Sequence, residues 1–129
     1  MTSYKWIDVQ VLRMLHEESL SLHGGGSGVR DEGLFESAMT RPENLAHYNS
    51  EADLADLAAC YAYGLAKNHP FVDGNKRAAF LSVGLFLGIN GYKLTATPVD
   101  AIQAVLGLAS SEISEEAFAL WVRDNITKR

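Results

Sequence analysis

Apolar residues that recur every three or four positions dominate this sequence, and they point to a protein built from α-helices. The pattern is clearest where apolar residues stand at positions i, i+3, i+4, i+7 and i+11, namely Leu54, Leu57, Ala58, Tyr61 and Leu65. Such residues share one face because an α-helix turns once every ~3.6 residues. No segment alternates strongly enough between apolar and polar residues to build a sheet. The sequence therefore predicts an all-α fold.

Glycine and proline residues set the expected limits of the first two helices. The first helix should end at the glycines 24–26. The second should begin at Asp31 and stop before Pro42, with Arg41 as its boundary, because a residue that precedes proline is biased away from helical geometry. The side chains expected to face the core are Ile7, Val11, Met14 or Leu15 and Leu22 in the first helix, and Leu34, Phe35 and Ala38 in the second.

Capping residues delimit the third and fourth helices. Asp53 is a suitable cap for the third helix, which should end near His69-Pro70. The fourth helix should begin around Asn75 and end at Asn90-Gly91, since asparagine and glycine commonly terminate helices. Residues 93–97 should form a short extended segment.

Two shorter helices complete the expected fold. Pro98 suits the first turn of a fifth helix that continues through Leu108. Ser114 is a suitable cap for the last helix, which carries Phe118, Trp121 and Val122. The sequence thus predicts a compact bundle of about six helices, with a catalytic loop between the third and fourth main helices.

Length and composition indicate one ordinary globular domain over residues 1–129. The chain is 47% hydrophobic and 21% charged, and a chain of this size buries enough surface to fold without a disulfide or a structural metal. Cys60 is the one cysteine, so no intramolecular disulfide can form. It sits in the middle of the third helix, where core packing is the simplest role for it.

Charge and hydropathy restrict the partners of the protein. The formal net charge is −5, which disfavours direct binding to a nucleic-acid backbone. No apolar run approaches the about 20 residues needed to cross a bilayer, and the first ten residues lack the pattern of a signal peptide. We therefore expect a cytoplasmic protein that binds neither nucleic acid nor membrane.

The most unusual segment is NHPFVDGNKR at residues 68–77, between the third and fourth helices. The free N–H groups at the start of a helix, together with the helix dipole, favour bound anions, and Lys76 and Arg77 add donors for phosphate oxygens. Gly74 permits close backbone approach or a positive φ. Asp73 suits Mg²⁺, and His69 is able to take a proton near neutral pH. The segment therefore predicts a site for phosphoryl chemistry.

This segment closely resembles the signature of the Fic family, His-Pro-Phe-x-(Asp/Glu)-Gly-Asn-Gly-Arg-x-x-Arg. The chain reads HPFVDGNKRAAF, with Lys76 in place of the second glycine and Phe80 in place of the last arginine. Both departures are found in the Doc (death-on-curing) toxins of the family. GVRDEGLFESA at 28–38, RPENL at 41–45 and NGY at 90–92 also resemble Doc toxins, so the similarity covers nearly the whole chain.

The resemblance implies a kinase toxin of bacteria or phages. Doc toxins bind the nucleotide in the reverse orientation and transfer its terminal phosphate, which here implies ATP, Mg²⁺ and a Ser or Thr hydroxyl of elongation factor Tu. His69 would be the general base and Asp73 the Mg²⁺ ligand, with Arg77 as a third catalytic residue. The phosphates would be bound by Gly74, Asn75, Lys76 and Arg77.

The resemblance also implies regulation. Doc toxins are silenced by an antitoxin of the prevent-host-death type, whose C-terminal segment folds onto the toxin. Residues 23–48 resemble the region that shapes the target-docking flap.

The sequence also allows other interpretations. The chain could be an AMP-transferase of the Fic type, because HPF and Gly74 follow the Fic motif, or a non-catalytic binding module. Asp73 could cap the fourth helix instead of, or as well as, binding metal. The glycine-rich residues 24–28 lack the Lys-Ser/Thr ending of a Walker loop and are expected to be a flexible connector. His16-Glu17 starts like a zinc-protease motif, but Leu20 stands where the second histidine would be.

Overall fold

A computed structural model of the protein describes residues 3–129, in which six helices surround one hydrophobic core. The helices are α1 (Val9–His23), α2 (Glu32–Tyr48), α3 (Leu54–Asn68), α4 (Asn75–Ile89), α5 (Pro98–Ala109) and α6 (Glu115–Asp124), and the strands are β1 (Tyr92–Leu94) and β2 (Ile126–Lys128). The predicted helical bundle is confirmed, and so is the position of the predicted catalytic loop between α3 and α4. No helix among these residues is long and apolar enough to span a bilayer.

Helix α3 is the central element, and α2, α4 and α6 pack around it. Its sequence is rich in alanine, so neighbouring helices approach it closely. At Gly64 an added Cβ atom would lie 3.2 Å from the Cα atom of Ala38 in α2. The five residues that predicted this helix are all buried. Cys60 is also buried, and this burial raises the pKa of its thiol to about 12.

The prediction that the second helix stops before Pro42 is wrong. Helix α2 continues through the proline to Tyr48, and Pro42 is buried. Arg41 donates two hydrogen bonds to the carboxylate of Glu115 in α6, and its guanidinium lies 4.7 Å from the ring centroid of Tyr63 in α3. These contacts hold the backbone in helical geometry against the local bias of a residue before proline.

The expected inward face of α1 is also wrong. Its buried residues are Leu12 and His16, whereas Met14 is 68% exposed and Leu22 is 75% exposed. Val11 is exposed as well, and only Ile7, just before the helix, is buried as expected. The apolar pattern predicted the wrong face because the buried residue four positions after Leu12 is a histidine, His16, which an apolar pattern does not include.

The expected absence of any sheet is wrong in one place. Strands β1 and β2 pair antiparallel, with Tyr92 opposite Lys128 and Leu94 opposite Ile126. Strands of three residues are too short to show an alternating pattern. The pairing ties the end of the described chain to the segment that follows α4.

The limits of the remaining helices agree with the prediction to within a residue. The side chain of Asp53 accepts a hydrogen bond from the backbone of Asp56 at the start of α3. Pro98 occupies the first turn of α5, and Ser114 accepts a hydrogen bond from the N–H of Ala117 in α6. Phe118 and Val122 are fully buried.

Candidate active site

The loop between α3 and α4 begins and ends with left-handed backbone. His69 terminates α3 with φ 50° and ψ 53°, and Gly74 precedes α4 with φ 73°. The left-handed region favours glycine, and for another residue it costs on the order of 1–2 kcal/mol. The conformation of His69 must therefore be stabilised by its surroundings.

Arg30 supplies that stabilisation from the segment before α2. Its Nε donates to the carbonyl oxygen of His69 at 2.9 Å, and its Nη2 donates to that of Asn68 at 3.1 Å. The backbone N–H groups of Arg30 and Asp31 both donate to the carbonyl oxygen of Pro70, at 2.7 and 3.1 Å. Three successive carbonyls are thus held, which fixes the backbone that carries the His69 side chain.

Asn75 fixes the middle of the loop. Its Oδ1 accepts from the N–H of Phe71 at 2.9 Å, and its Nδ2 donates to the carbonyl oxygen of the same residue at 3.1 Å. The Phe71 ring is 1% exposed and packs against His16 and Phe35. Both ends of the Asn75 amide are engaged, so its backbone N–H is the group left for an anion.

His16 holds the last part of the loop from α1. It is 1% exposed, stacks on Phe71 with 3.7 Å between ring centroids, and its Nε2 lies 2.8 Å from the carbonyl oxygen of Asp73. A carbonyl only accepts, so Nε2 is the donor. A Cβ atom on Gly74 would lie 3.1 Å from that nitrogen, so both close approach and positive φ require glycine there. The zinc-protease motif considered for His16 was rejected from the sequence, and no other pattern there predicted this contact with the loop.

The glycine-rich residues 24–28 are more than the plain connector expected from the sequence. They run alongside the loop, where the carbonyl oxygen of Gly28 accepts from the N–H of Val72 at 3.1 Å. An added Cβ atom on Gly25 would lie 3.0 Å from Oδ2 of Asp73, and one on Gly26 would lie 2.9 Å from Cγ1 of Val72. Small residues let this segment approach the predicted metal ligand.

The start of α4 offers free hydrogen-bond donors. The first helical bond runs from Ala78 N–H to the carbonyl oxygen of Gly74, and no side chain caps the helix. The N–H groups of residues 75–77 are therefore available to an anion, beside the positive end of the helix dipole. The side chain of Asp73 accepts a hydrogen bond from the N–H of Gly74 at 2.8 Å and does not cap α4. The interpretation of Asp73 as the cap of the fourth helix is therefore wrong.

His69 is exposed at the edge of a groove between the loop and α5. The groove has a volume of about 520 Å³, and its lining includes Lys76, Gln103, Leu106 and Glu112. A proton acceptor and a cation therefore face the same space. A larger cavity of about 620 Å³ lies between α2 and α6, but its arginine, Arg41, is already paired with Glu115. The groove beside His69 is therefore the better candidate for proton transfer next to a bound anion.

Asp73 is the carboxylate of the loop that is placed to contribute a ligand to a metal ion. Within residues 3–129 no group of three or more His, Cys, Asp or Glu side chains is placed to hold a metal. Mg²⁺ commonly binds through one or two carboxylates together with phosphates and water. The exposed Asp73 offers one carboxylate beside the free N–H groups of α4.

Comparison with known proteins decides the family. A family model described as the Fic/DOC family matches residues 6–87, which include α1, the loop and most of α4. The chain belongs to the Fic/Doc family. It is 34% identical over 113 residues to the protein kinase Doc of Escherichia phage P1, covering 88% of this chain and 89% of that protein. It is 43% identical over 74 residues to the toxin Doc of Mycolicibacterium smegmatis, covering 57% of each chain.

These relatives confirm the resemblance seen in HPFVDGNKR. Both carry the Doc name, so within the Fic/Doc family the chain lies with the Doc toxins. The six-helix fold agrees with this membership. The loop was predicted from the sequence, but the roles of Arg30 and His16, which hold the loop from outside the motif, were not.

Proposed function

We propose that this Doc protein is the toxin of a toxin–antitoxin pair, and that it transfers the terminal phosphate of ATP to a Ser or Thr hydroxyl of a target protein. Elongation factor Tu is the proposed target, which would place the protein in the cytoplasm. One observation carries the proposal: exposed His69 and Lys76 of the uncapped α4 line the same groove. The relative from phage P1, named a protein kinase, supports the transfer of phosphate.

In the proposed reaction His69 is the general base. It takes the proton of the target hydroxyl as that oxygen forms a bond to the terminal phosphorus. The bond between this phosphorus and the oxygen that bridges to the next phosphate breaks, and ADP leaves. Arg30 contributes by holding the backbone on which the His69 side chain is mounted.

The uncapped end of α4 stabilises the negative charge that moves during transfer. The N–H groups of residues 75–77 point out of the helix start, and the side chains of Lys76 and Arg77 add two positive charges. Asp73 would hold Mg²⁺, which neutralises phosphate charge and helps to align the bonds being exchanged. Gly74 would present its backbone to the phosphates in a left-handed turn that glycine permits, while His16 takes the space of the missing side chain.

The proposal includes a silencing partner. A relative named as a toxin supports the existence of an antitoxin, and we propose one of the prevent-host-death type. Its binding would cover the groove beside His69 or residues 23–48, which resemble the region that shapes the target-docking flap of Doc toxins. No direct binding to nucleic acid is included, given the net charge of −5.

The test is a transfer reaction with purified protein, elongation factor Tu and ATP labelled on either its terminal or its innermost phosphate. We expect the terminal label to appear on the target and the innermost label to stay in ADP. Transfer of the innermost label alone would identify an AMP-transferase. Growth arrest that persists in cells expressing His69→Ala, with no transfer of either label, would identify a binding module.

A further inference from the structure

We propose that Glu112, in the turn between α5 and α6, selects a target segment that carries a lysine or arginine beside the acceptor hydroxyl. The proposal rests on the proposed function, because it concerns the protein that receives the phosphate. Glu112 lines the groove of about 520 Å³ at whose edge His69 is exposed. A segment that brings a hydroxyl to His69 therefore passes close to this carboxylate.

The two walls of the groove differ in charge. One wall comes from the loop and the start of α4, and it carries His69 and Lys76. The other comes from α5 and the turn that follows it. Among the described residues that form this second wall, Glu112 is the one with a charge; the wall consists of Gln103, Leu106, Gly107, Ala109, Ser110 and Glu112. A negative charge here repels phosphates and attracts cations, so it suits the target rather than ATP.

The carboxylate of Glu112 is available to a cation of the target. It is exposed, and within residues 3–129 it forms no hydrogen bond or ion pair. Glu115, which follows in α6, is by contrast paired with Arg41 at 2.7 Å. Lys76, on the opposite wall, is not within ion-pair distance of Glu112. A positive group that enters the groove therefore meets an acidic partner without first breaking a contact inside the protein.

The turn that carries Glu112 has a fixed backbone. Ser111 has φ 67°, in the left-handed region that favours glycine, so this conformation needs support from its surroundings. The N–H groups of Glu112 and Ile113 both donate to the carbonyl oxygen of Gly107, at 2.9 and 3.2 Å. These bonds keep the backbone of Glu112 at the groove.

Lys67 ties the same turn to the helix end that carries His69. Its Nζ donates to the carbonyl oxygen of Ala109 at 3.0 Å and to the Oγ of Ser111. Lys67 lies in the last turn of α3, and His69 terminates that helix. One side chain thus links the backbone of the base to the backbone of the acid. A target held by Glu112 is placed at a set distance from His69, and such placement raises the rate of transfer.

Locating the modified residue is the first test. Elongation factor Tu would be incubated with the unaltered protein and with ATP labelled on either its terminal or its innermost phosphate, and the labelled residue found by mass spectrometry. We expect a lysine or arginine next to the labelled Ser or Thr, or next but one in the chain. A labelled residue without a cation at any of these positions would overturn the proposal.

Charge reversal at Glu112 is the second test. We expect Glu112→Lys to lower kcat/KM for the target by about tenfold or more, because it brings two positive charges together across the interface. The KM for ATP should be unchanged, and the loss should shrink as salt is added. Glu112→Gln should give a smaller loss. Glu116→Lys reverses the charge of an exposed glutamate of α6 that does not line this groove, so it is the matched control and should retain kcat/KM.

The charge of the target is then reversed as well. Replacement of its cation by glutamate should lower kcat/KM with the unaltered protein and restore much of it with Glu112→Lys. Independent losses on the two sides, an unchanged kcat/KM in Glu112→Lys, or an equal rise in the KM for ATP would each overturn the role of Glu112.

Failure of the proposed function has a different signature. Transfer of the innermost label alone would contradict the kinase activity, and the charge reversals would still test Glu112, since it acts on the acceptor and not on ATP. A protein that transfers neither label would contradict both proposals.

Discussion

Helices α3 and α4 pack against each other, but their N-termini differ in how the first backbone N–H groups are bonded. At α3, Asp53 accepts from the N–H of Asp56 at 2.9 Å, and the side chain of Asp56 accepts from the N–H of Asp53 at 3.0 Å. Arg123 then donates to both carboxylates. At α4 the cap position is Gly74, no side chain bonds the first N–H groups, and no acidic residue stands in the first turn.

The difference separates residues that stabilise the fold from residues that are free for a ligand. Within residues 3–129 the other helices also have side-chain caps, provided by Asp8, Asp31, Thr97 and Ser114. Each such cap contributes about 0.5–2 kcal/mol to stability. Helix α4 lacks this stabilisation, and the backbone N–H groups of its first turn remain available for a phosphate. Substitutions near α4 should therefore reduce activity, and substitutions at α3 should reduce stability.

The largest effect is expected from His69→Ala. Loss of a general base lowers kcat by roughly 10²–10⁴-fold, whereas the exposed imidazole contributes little to packing. The measurement is steady-state transfer of the terminal phosphate, with thermal unfolding as the check on folding. Lys93→Ala, at an exposed position of β1 away from the site, is the control. A variant that retains full activity would show that His69 is not the base.

The next largest effect is expected from Arg30→Ala. Without its two donors the carbonyls of residues 68 and 69 are released, and a displacement of about 1 Å at His69 is enough to lower kcat roughly 10²-fold. ATP affinity should be retained because Arg30 bonds only the backbone before the phosphate-binding residues. Arg30→Lys should recover part of kcat, since one donor is restored. An equal loss of kcat and of ATP affinity would contradict a role in positioning.

A smaller effect is expected from Lys76→Gln. The substitution removes one charge from the groove, so affinity for tripolyphosphate should fall roughly tenfold, and the loss should shrink as salt is added. Lys93→Gln removes an equivalent charge from the exposed side of β1 and is the control. Equal affinities in the two variants would show that the phosphates lie away from the start of α4.

The sequence was most informative where the signal is local. Apolar spacing and caps predicted α3 to α6 because a helix is specified by neighbours in the chain, and the loop residues are likewise contiguous. Arg30 and His16 were missed because they meet the loop 39 and 57 residues away. The predicted end of the second helix before Pro42 was wrong for the same reason, since the contacts that keep α2 helical come from α3 and α6. Spatial neighbours of this kind are set by packing, which one sequence does not display.

The smallest effect is expected from Asp53→Ala. This substitution tests the role of the capped N-terminus of α3. Loss of the cap should lower the free energy of unfolding by about 1 kcal/mol, with transfer activity unchanged. The hydrogen bonds from Arg123 lower the pKa of Asp53, so its stabilisation is present above the pKa of the unfolded chain and is lost as the pH falls through the lower folded value. Denaturant unfolding at neutral and acidic pH should therefore show a stability difference between the two proteins that narrows in acid. A stability difference that stays constant down to the lowest pH would mean that the charge of the Asp53 carboxylate contributes nothing. A loss of transfer activity in Asp53→Ala would show that the start of α3 also contributes to the active site.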